Sequence, residues 1–227
     1  MKVALFGGSF DPPHHGHIAL ARLAIERLGL DRVLIAPVGA QPFKGDESSP
    51  FADRVAMVRL ALANQPEPVE PRIELSLVDA PHPDGSPNYT IDAVHRLRGT
   101  LRPGDSLSCL MGADSFLTIG KWRRAQELLL ACDFIVASRP GFDLQALAAA
   151  LPEKIILSVD KSASPRFHVL AMCGEQAKRS HLYLLPDLAE DISATGIRAA
   201  LRAGRDAPID PAVAEYIRSH RLYQPGT

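Results

Sequence analysis

The chain has little of what marks secreted, membrane or nucleic-acid-binding proteins. It holds three cysteines, one tryptophan and 6% aromatic residues in 227. Cys109, Cys132 and Cys173 are odd in number, far apart and without a CxxC pair. That spacing argues against a disulfide framework or a zinc ribbon, and for reduced thiols beside apolar runs in a reducing compartment. Four apolar residues, Val3 to Phe6, precede Gly7-Gly8, too few for the apolar region of a secretory leader. No apolar run approaches the ~18 residues of a membrane span. The net charge is −1 with histidine neutral, and no basic stripe is present. Neither a membrane nor a nucleic-acid partner is expected, and a cytoplasmic location is. A G-x-G-x-x-G string is also missing, which argues against a dinucleotide-dependent dehydrogenase.

What is present is an aliphatic chain, 46% hydrophobic, in which strand-like and helix-like segments alternate. Short apolar runs at 3–6, 33–36, 73–78, 107–111 and 134–138 read as strands, with weaker ones at 155–159 and 182–185. Helical spacing appears at 17–28, 51–64, 89–97, 122–131, 144–151, 195–203 and 211–219. Alternation with apolar strands implies an α/β, doubly wound parallel sheet covered on both faces. One domain over 1–227 is expected, with a C-terminal helical part at about 190–223. Residues 158–180 mix Pro, Ser and basic residues and read as a surface excursion.

Two strings carry chemistry. Gly7-Gly8-Ser9-Phe10-Asp11-Pro12-Pro13-His14-His15-Gly16-His17 follows the first strand and opens the first helix. Glycines there let backbone N–H groups approach phosphate, and a helix N-terminus favours an anion. Two glycines alone read equally well as a tight turn. His14 and His17, three apart, can share a side. They read as a surface pair, as metal ligands when neutral, or as phosphate holders when protonated, although no third ligand stands at fixed spacing. Near the C-terminus, Ser193 can cap a helix starting near Thr195, with Arg198 one turn in, able to fork onto phosphate.

These strings resemble the two signatures of the nucleotidylyltransferase superfamily with the HxGH motif. His14-His15-Gly16-His17 is the first, and Ile192-Ser193-Ala194-Thr195-Gly196-Ile197-Arg198 is similar to the second, ISSTxIR. Over nearly its whole length the chain resembles bacterial nicotinate-mononucleotide adenylyltransferases. Asn88-Tyr89-Thr90, Gly112-Ala113-Asp114-Ser115 leading to Trp122, Ser138-Arg139-Pro140-Gly141 and the tail with Tyr216 and Tyr223 carry that likeness. The resemblance implies a Rossmann-like fold and transfer of an adenylyl group from ATP to nicotinate mononucleotide. It implies His14, His17 and Arg198 as catalytic residues, and Gly7, Gly8, Ser9, Phe10, Ile192, Ser193 and Thr195 at ATP. It implies Lys44, Tyr89, Thr90, Asp114, Trp122 and Arg139 at the mononucleotide. Mg²⁺ is expected to arrive with ATP, with no protein ligand assigned. Trp122 reads equally as a core anchor, and Asp114 as a cap for the next helix.

The chain departs from the pattern in places. Ser9 stands where threonine is common, and Ala194 replaces a second serine. The loop at 37–44 lacks an asparagine and a histidine often found there, leaving Lys44 as its phosphate candidate. Two alternatives accompany this reading. One is another HxGH transferase, such as a pantetheine-phosphate adenylyltransferase; the other is a non-catalytic nucleotide-binding module.

Overall fold

The computed structural model describes residues 1–40, 48–63, 65, 72–137, 144–159, 168–174, 178–185 and 193–224. Within them, β1 (Lys2–Gly8), β2 (Arg32–Pro37), β3 (Ile73–Leu75), β4 (Ser106–Gly112) and β5 (Asp133–Ala137) are joined by helices α1 (His15–Leu28), α2 (Phe51–Ala63), α3 (Thr90–Arg98), α4 (Ala113–Phe116) and α5 (Ala125–Ala131). After α6 (Leu144–Ala150) come β6 (Ile156–Val159), β7 (His168–Cys173) and β8 (Arg179–Leu185), then α7 (Ala194–Arg202) and α8 (Pro211–Ser219). The eight strands form one sheet in the order β3-β2-β1-β4-β5-β8-β7-β6. Pairing is parallel from β3 through to β8, while β7 runs antiparallel to β8 and to β6.

The helices cover both faces, as the near-continuous apolar strands require. On one face Ile91 and Val94 of α3, Leu128 and Leu129 of α5 and Leu147 of α6 pack against Leu107, Cys109, Phe134 and Val136. On the other, Ile18, Leu20, Ala21 and Ala24 of α1 and Val58 of α2 pack against Ala4, Phe6, Val33 and Ile35. A third cluster joins Met57 and Ala61 of α2 to Ile197 of α7 and to Val213 and Ile217 of α8. Thus α2 bridges the sheet and the C-terminal helices.

Three expectations need correction. The strand at 73–78 stops at Leu75, because the chain turns over residues 77–80, with Ala80 N–H bonded to Leu77 O at 3.0 Å. Trp122 lies outside a helix: a 3-10 turn, Ile119–Lys121, precedes it, and α5 begins only after Arg124, whose φ is 52°. Residues 168–173, within the supposed surface excursion, are a sheet strand with Met172 fully buried. Asn64 and Ser138, expected at element ends, lie outside the described residues.

The functional end of the sheet follows from the strand order. From β1 the chain winds outward to β2 and β3, then returns to place β4 on β1's other side. In open α/β sheets, ligands bind outside the carboxyl ends of strands where the winding reverses. Here that point lies between Gly8 and Gly112.

Candidate active site

The loop after β1 is held by α2. Arg54 is 3% exposed, and its guanidinium donates to three carbonyls: Nε to Ser49 at 3.0 Å, Nη1 to Ser9 at 2.9 Å and Nη2 to Gly39 at 3.2 Å. Burial lowers its pKa from the ordinary arginine value, and the nearby Asp11 carboxylate opposes that shift. One buried cation therefore joins the loops after β1 and β2. The sequence reading missed this role. The available signal was a charge at 54 on the same helical stripe as Met57, Val58 and Ala61.

Gly8 and Phe10 shape the loop from below. The Phe10 ring is buried against Phe6 (5.4 Å between centroids) and His17 (4.8 Å), and its backbone is left-handed, φ 49°. Any contact of Phe10 with a ligand is therefore made by its backbone. Gly7 has open space where a Cβ would stand. The Ser9 side chain is half-buried.

His14 is the N-cap of α1, and its backbone N–H donates to Nδ1 of His17 at 3.1 Å. A neutral imidazole that accepts at Nδ1 carries its proton on Nε2, so His17 offers an Nε2–H donor. The two rings stack, 3.6 Å between centroids. His14 Nδ1 is buried with no hydrogen-bond partner among the described residues. Burial, reinforced by His15, lowers the His14 pKa from 6.5 to about 4. Burial, reinforced by His14, holds His17 well below 6.5. Of the alternatives the sequence left open, burial argues against a surface pair and the lowered pKa values against protonated phosphate holders: both rings are neutral at pH 7.

These shifts set a pH dependence of folding. Between about pH 4 and 6.5 the unfolded chain binds a proton at His14 that the folded chain refuses. Stability is therefore complete above 6.5 and falls as pH drops toward 4, by on the order of 3 kcal/mol from this residue. His17 acts in the same direction. Urea midpoints measured from pH 7.5 to 4.5 are expected to fall, and to fall less steeply in His14→Gln. Equal slopes in the two chains would contradict the assignment.

The second motif reaches the same loop. Ser193 caps α7, its hydroxyl accepting from Gly196 N–H at 3.1 Å. Thr195 is exposed in the first turn. Arg198 Nη1 donates to the backbone carbonyl of Asp11 at 2.8 Å, and Nη2 lies 3.4 Å from Thr195 Oγ1. The two strings, 187 residues apart at this contact, are thus joined.

The remaining described candidates lie near the start of α3 and beyond the end of β4. Asn88 is buried, and its side chain does not cap α3. Its amide N donates to Ala80 O at 2.8 Å and Asp79 O at 3.1 Å, and its Oδ1 accepts from Ala40 N–H at 2.9 Å. A Cβ on Gly39 would meet Asn88 Oδ1 and Pro81 N at 2.5 Å, so only glycine permits this approach. Tyr89 is left as the N-cap, extended and without a side-chain cap bond. Thr90 follows, half-buried. The Arg123 guanidinium sits 5.0 Å over the Tyr89 ring and brings the 122–124 segment to the start of α3. Trp122 is half-buried against the core, and its indole N–H donates to Thr118 Oγ1 at 3.1 Å. Asp114 is exposed in the first turn of α4, directly beyond β4. Lys44, Arg139 and Ile192 lie outside the described residues.

This fold, with a phosphate-type loop at the winding reversal, defines a cytidylyltransferase-like protein, and the family model of that description, Cytidylyltransferase-like, matches residues 5–200. A Laribacter hongkongensis protein named "Probable nicotinate-nucleotide adenylyltransferase" is 37% identical over 226 residues, covering 99% of this chain and 95% of that one. A Solibacter usitatus protein of the same name is 36% identical over 226 residues, covering 98% and 100%. The chain belongs to the nicotinate-nucleotide adenylyltransferase family. Its fold is similar to that of the Plasmodium falciparum nicotinic acid mononucleotide adenylyltransferase complexed with NaAD, with TM-score 0.70 and 18% identity over 98% of this chain and 97% of that one.

Proposed function

We propose that the chain transfers the adenylyl group of ATP to nicotinate mononucleotide, giving nicotinate adenine dinucleotide and pyrophosphate. The observation that carries this reading is the link between Arg198 and the loop that leads into the His14–His17 pair. A phosphate oxygen of the mononucleotide attacks the α-phosphorus, and the bond to the β-phosphate oxygen breaks, leaving its electron pair on pyrophosphate. The attacking oxygen is already ionised at pH 7, so no general base is needed. Catalysis then rests on alignment and on donors aimed at charge that develops in transfer.

In this reading His14, His17 and Arg198 face the ATP phosphates. The backbone of Gly7, Gly8, Ser9 and Phe10, the α7 start at Ser193 and Thr195, and Ile192 complete that side. His17 contributes a neutral Nε2–H, which binds a phosphate oxygen without a prior protonation step. Mg²⁺ enters as part of the ATP substrate and keeps several of its waters. Lys44, Tyr89, Thr90, Asp114, Trp122 and Arg139 serve the mononucleotide. Residues 1–227 act as one unit, and α7 and α8 close the site. Among the described residues no helix is long and apolar enough to cross a membrane; a cytoplasmic location belongs to the reading.

Substrate choice follows from the start of α3. The first N–H groups of a helix lack intrahelical acceptors and favour an anion. Asn88 is occupied by the loops, so its side chain does not fill that position. The nicotinate carboxylate suits such donors; the nicotinamide group offers one oxygen and brings an NH₂ that finds no match there. Loss of a charge-assisted bond with a donor left unpaired costs about 1.5–3 kcal/mol. The expected preference for nicotinate over nicotinamide mononucleotide is roughly 10–150-fold in kcat/KM. Measuring both substrates at one salt concentration tests it, and equal values would mean that this helix start does not read the carboxylate.

A further inference from the structure

The segment after α8 reaches the phosphate loop through a residue that the reaction scheme does not use. Tyr223 is buried and left-handed, φ 62°. A bulky side chain at that φ needs firm surroundings to hold it. Its ring packs in the cluster shared by α2, α7 and α8, and its hydroxyl donates to Oδ1 of Asp11. Burial, with the Asp11 charge beside it, pushes the phenol far above its ordinary pKa, so the hydroxyl remains a donor at every working pH.

Asp11 is itself buried, at 2% exposure, which is costly for a carboxylate without good partners. Its second oxygen, Oδ2, accepts from Ser49 N–H at 3.2 Å. Its backbone carbonyl is the seat of Arg198 Nη1. Holding the two carboxylate oxygens fixes where that carbonyl points. A ring alone would fill the same space; the hydroxyl is what the carboxylate requires.

We propose that Tyr223 is a positioning residue for the transfer: by fixing Asp11 it fixes the carbonyl on which the Arg198 guanidinium rests, so the chain beyond α8 sets the phosphate clamp. The reaction served is the adenylyl transfer read above. Tyr223 itself touches no reacting atom.

The test is a double-mutant cycle with a hydrogen-exchange arm. Tyr223→Phe keeps the ring and removes the hydroxyl. It is expected to lower kcat roughly 10–100-fold, as slight misplacement of a clamp does. The KM for ATP is expected to change less than about threefold, because the lost interaction is felt chiefly in transfer. In an Arg198→Ala background the same change is expected to cost less than about twofold, since the group it serves is gone. Amide exchange at Ser49, and at Asp11 and His14 on either side of the two prolines, is expected to quicken in Tyr223→Phe. If that variant does not fold, Asp11→Asn takes its place in the cycle with the same expected non-additivity. Unchanged kcat, losses that multiply in the double variant, or unchanged exchange at Ser49 would each overturn the proposal. Absence of pyrophosphate release by the unsubstituted chain with ATP and nicotinate mononucleotide would count against the reaction, while the exchange arm still decides the latch.

Discussion

His17→Ala is expected to lower kcat by roughly 10²–10³-fold, the usual cost of removing one preorganised donor from a site of developing charge. The imidazole sits at the start of α1 with Nδ1 tied to His14 N–H at 3.1 Å, so its Nε2–H is oriented before substrate arrives. Stacking on His14 and edge contact with Phe10 restrict the ring further. Alanine removes the donor and the orientation together. ATP affinity is expected to change much less, because the ground-state phosphates keep the backbone donors of the loop and of α7. Thermal unfolding of the variant separates a folded, slow enzyme from a damaged one. Near-normal turnover in a folded His17→Ala chain would remove this role.

Arg198 gives the second large effect. One Nη is engaged by the Asp11 carbonyl at 2.8 Å, and the other lies near Thr195. A guanidinium has five donors in a fixed plane, so it holds the loop and a phosphate at once. Arg198→Ala is expected to lower kcat/KM by roughly 10²–10³-fold, comparable to losing an oriented donor. Arg198→Lys keeps the charge but not the plane, and is expected to recover only part of that loss. Steady-state kinetics of the two variants decide between shape and charge. If lysine serves as well as arginine while alanine fails, only the charge matters.

The two strings that the structure brings together at Arg198 and Asp11 were legible because each is contiguous. A glycine loop after an apolar strand, two histidines three apart and an arginine one turn past a serine cap carry their meaning locally. The elements with strong periodicity, such as Pro211–Ser219, appear at the bounds that the sequence implies. What escaped is held by contacts between distant segments. Arg54 acts on the carbonyls of Ser9 and Gly39, and backbone carbonyls leave no mark in a sequence. Tyr223 meets Asp11 across 212 positions. Asn88 stands out in the sequence only as part of the string at the start of α3, yet its amide ties together backbone groups of three loop residues, Ala40, Asp79 and Ala80. The misplaced start of α5 has a local cause: Arg124 adopts a left-handed backbone, which apolar spacing does not register. The strand His168–Cys173 escaped because its neighbours in sequence are polar and basic, and its pairing with β6 and β8 is antiparallel in a sheet otherwise read as parallel.

Pyrophosphate release tests the central claim most directly. The purified chain is supplied with Mg²⁺ and ATP, and with nicotinate mononucleotide, nicotinamide mononucleotide, phosphopantetheine or no acceptor. The account predicts release with nicotinate mononucleotide that matches formation of nicotinate adenine dinucleotide one for one. It predicts a rate roughly 10–150-fold lower with the amide at equal subsaturating concentration, and none above background with phosphopantetheine. Release that favours phosphopantetheine, or no release with any acceptor from a chain that still binds ATP, would contradict it.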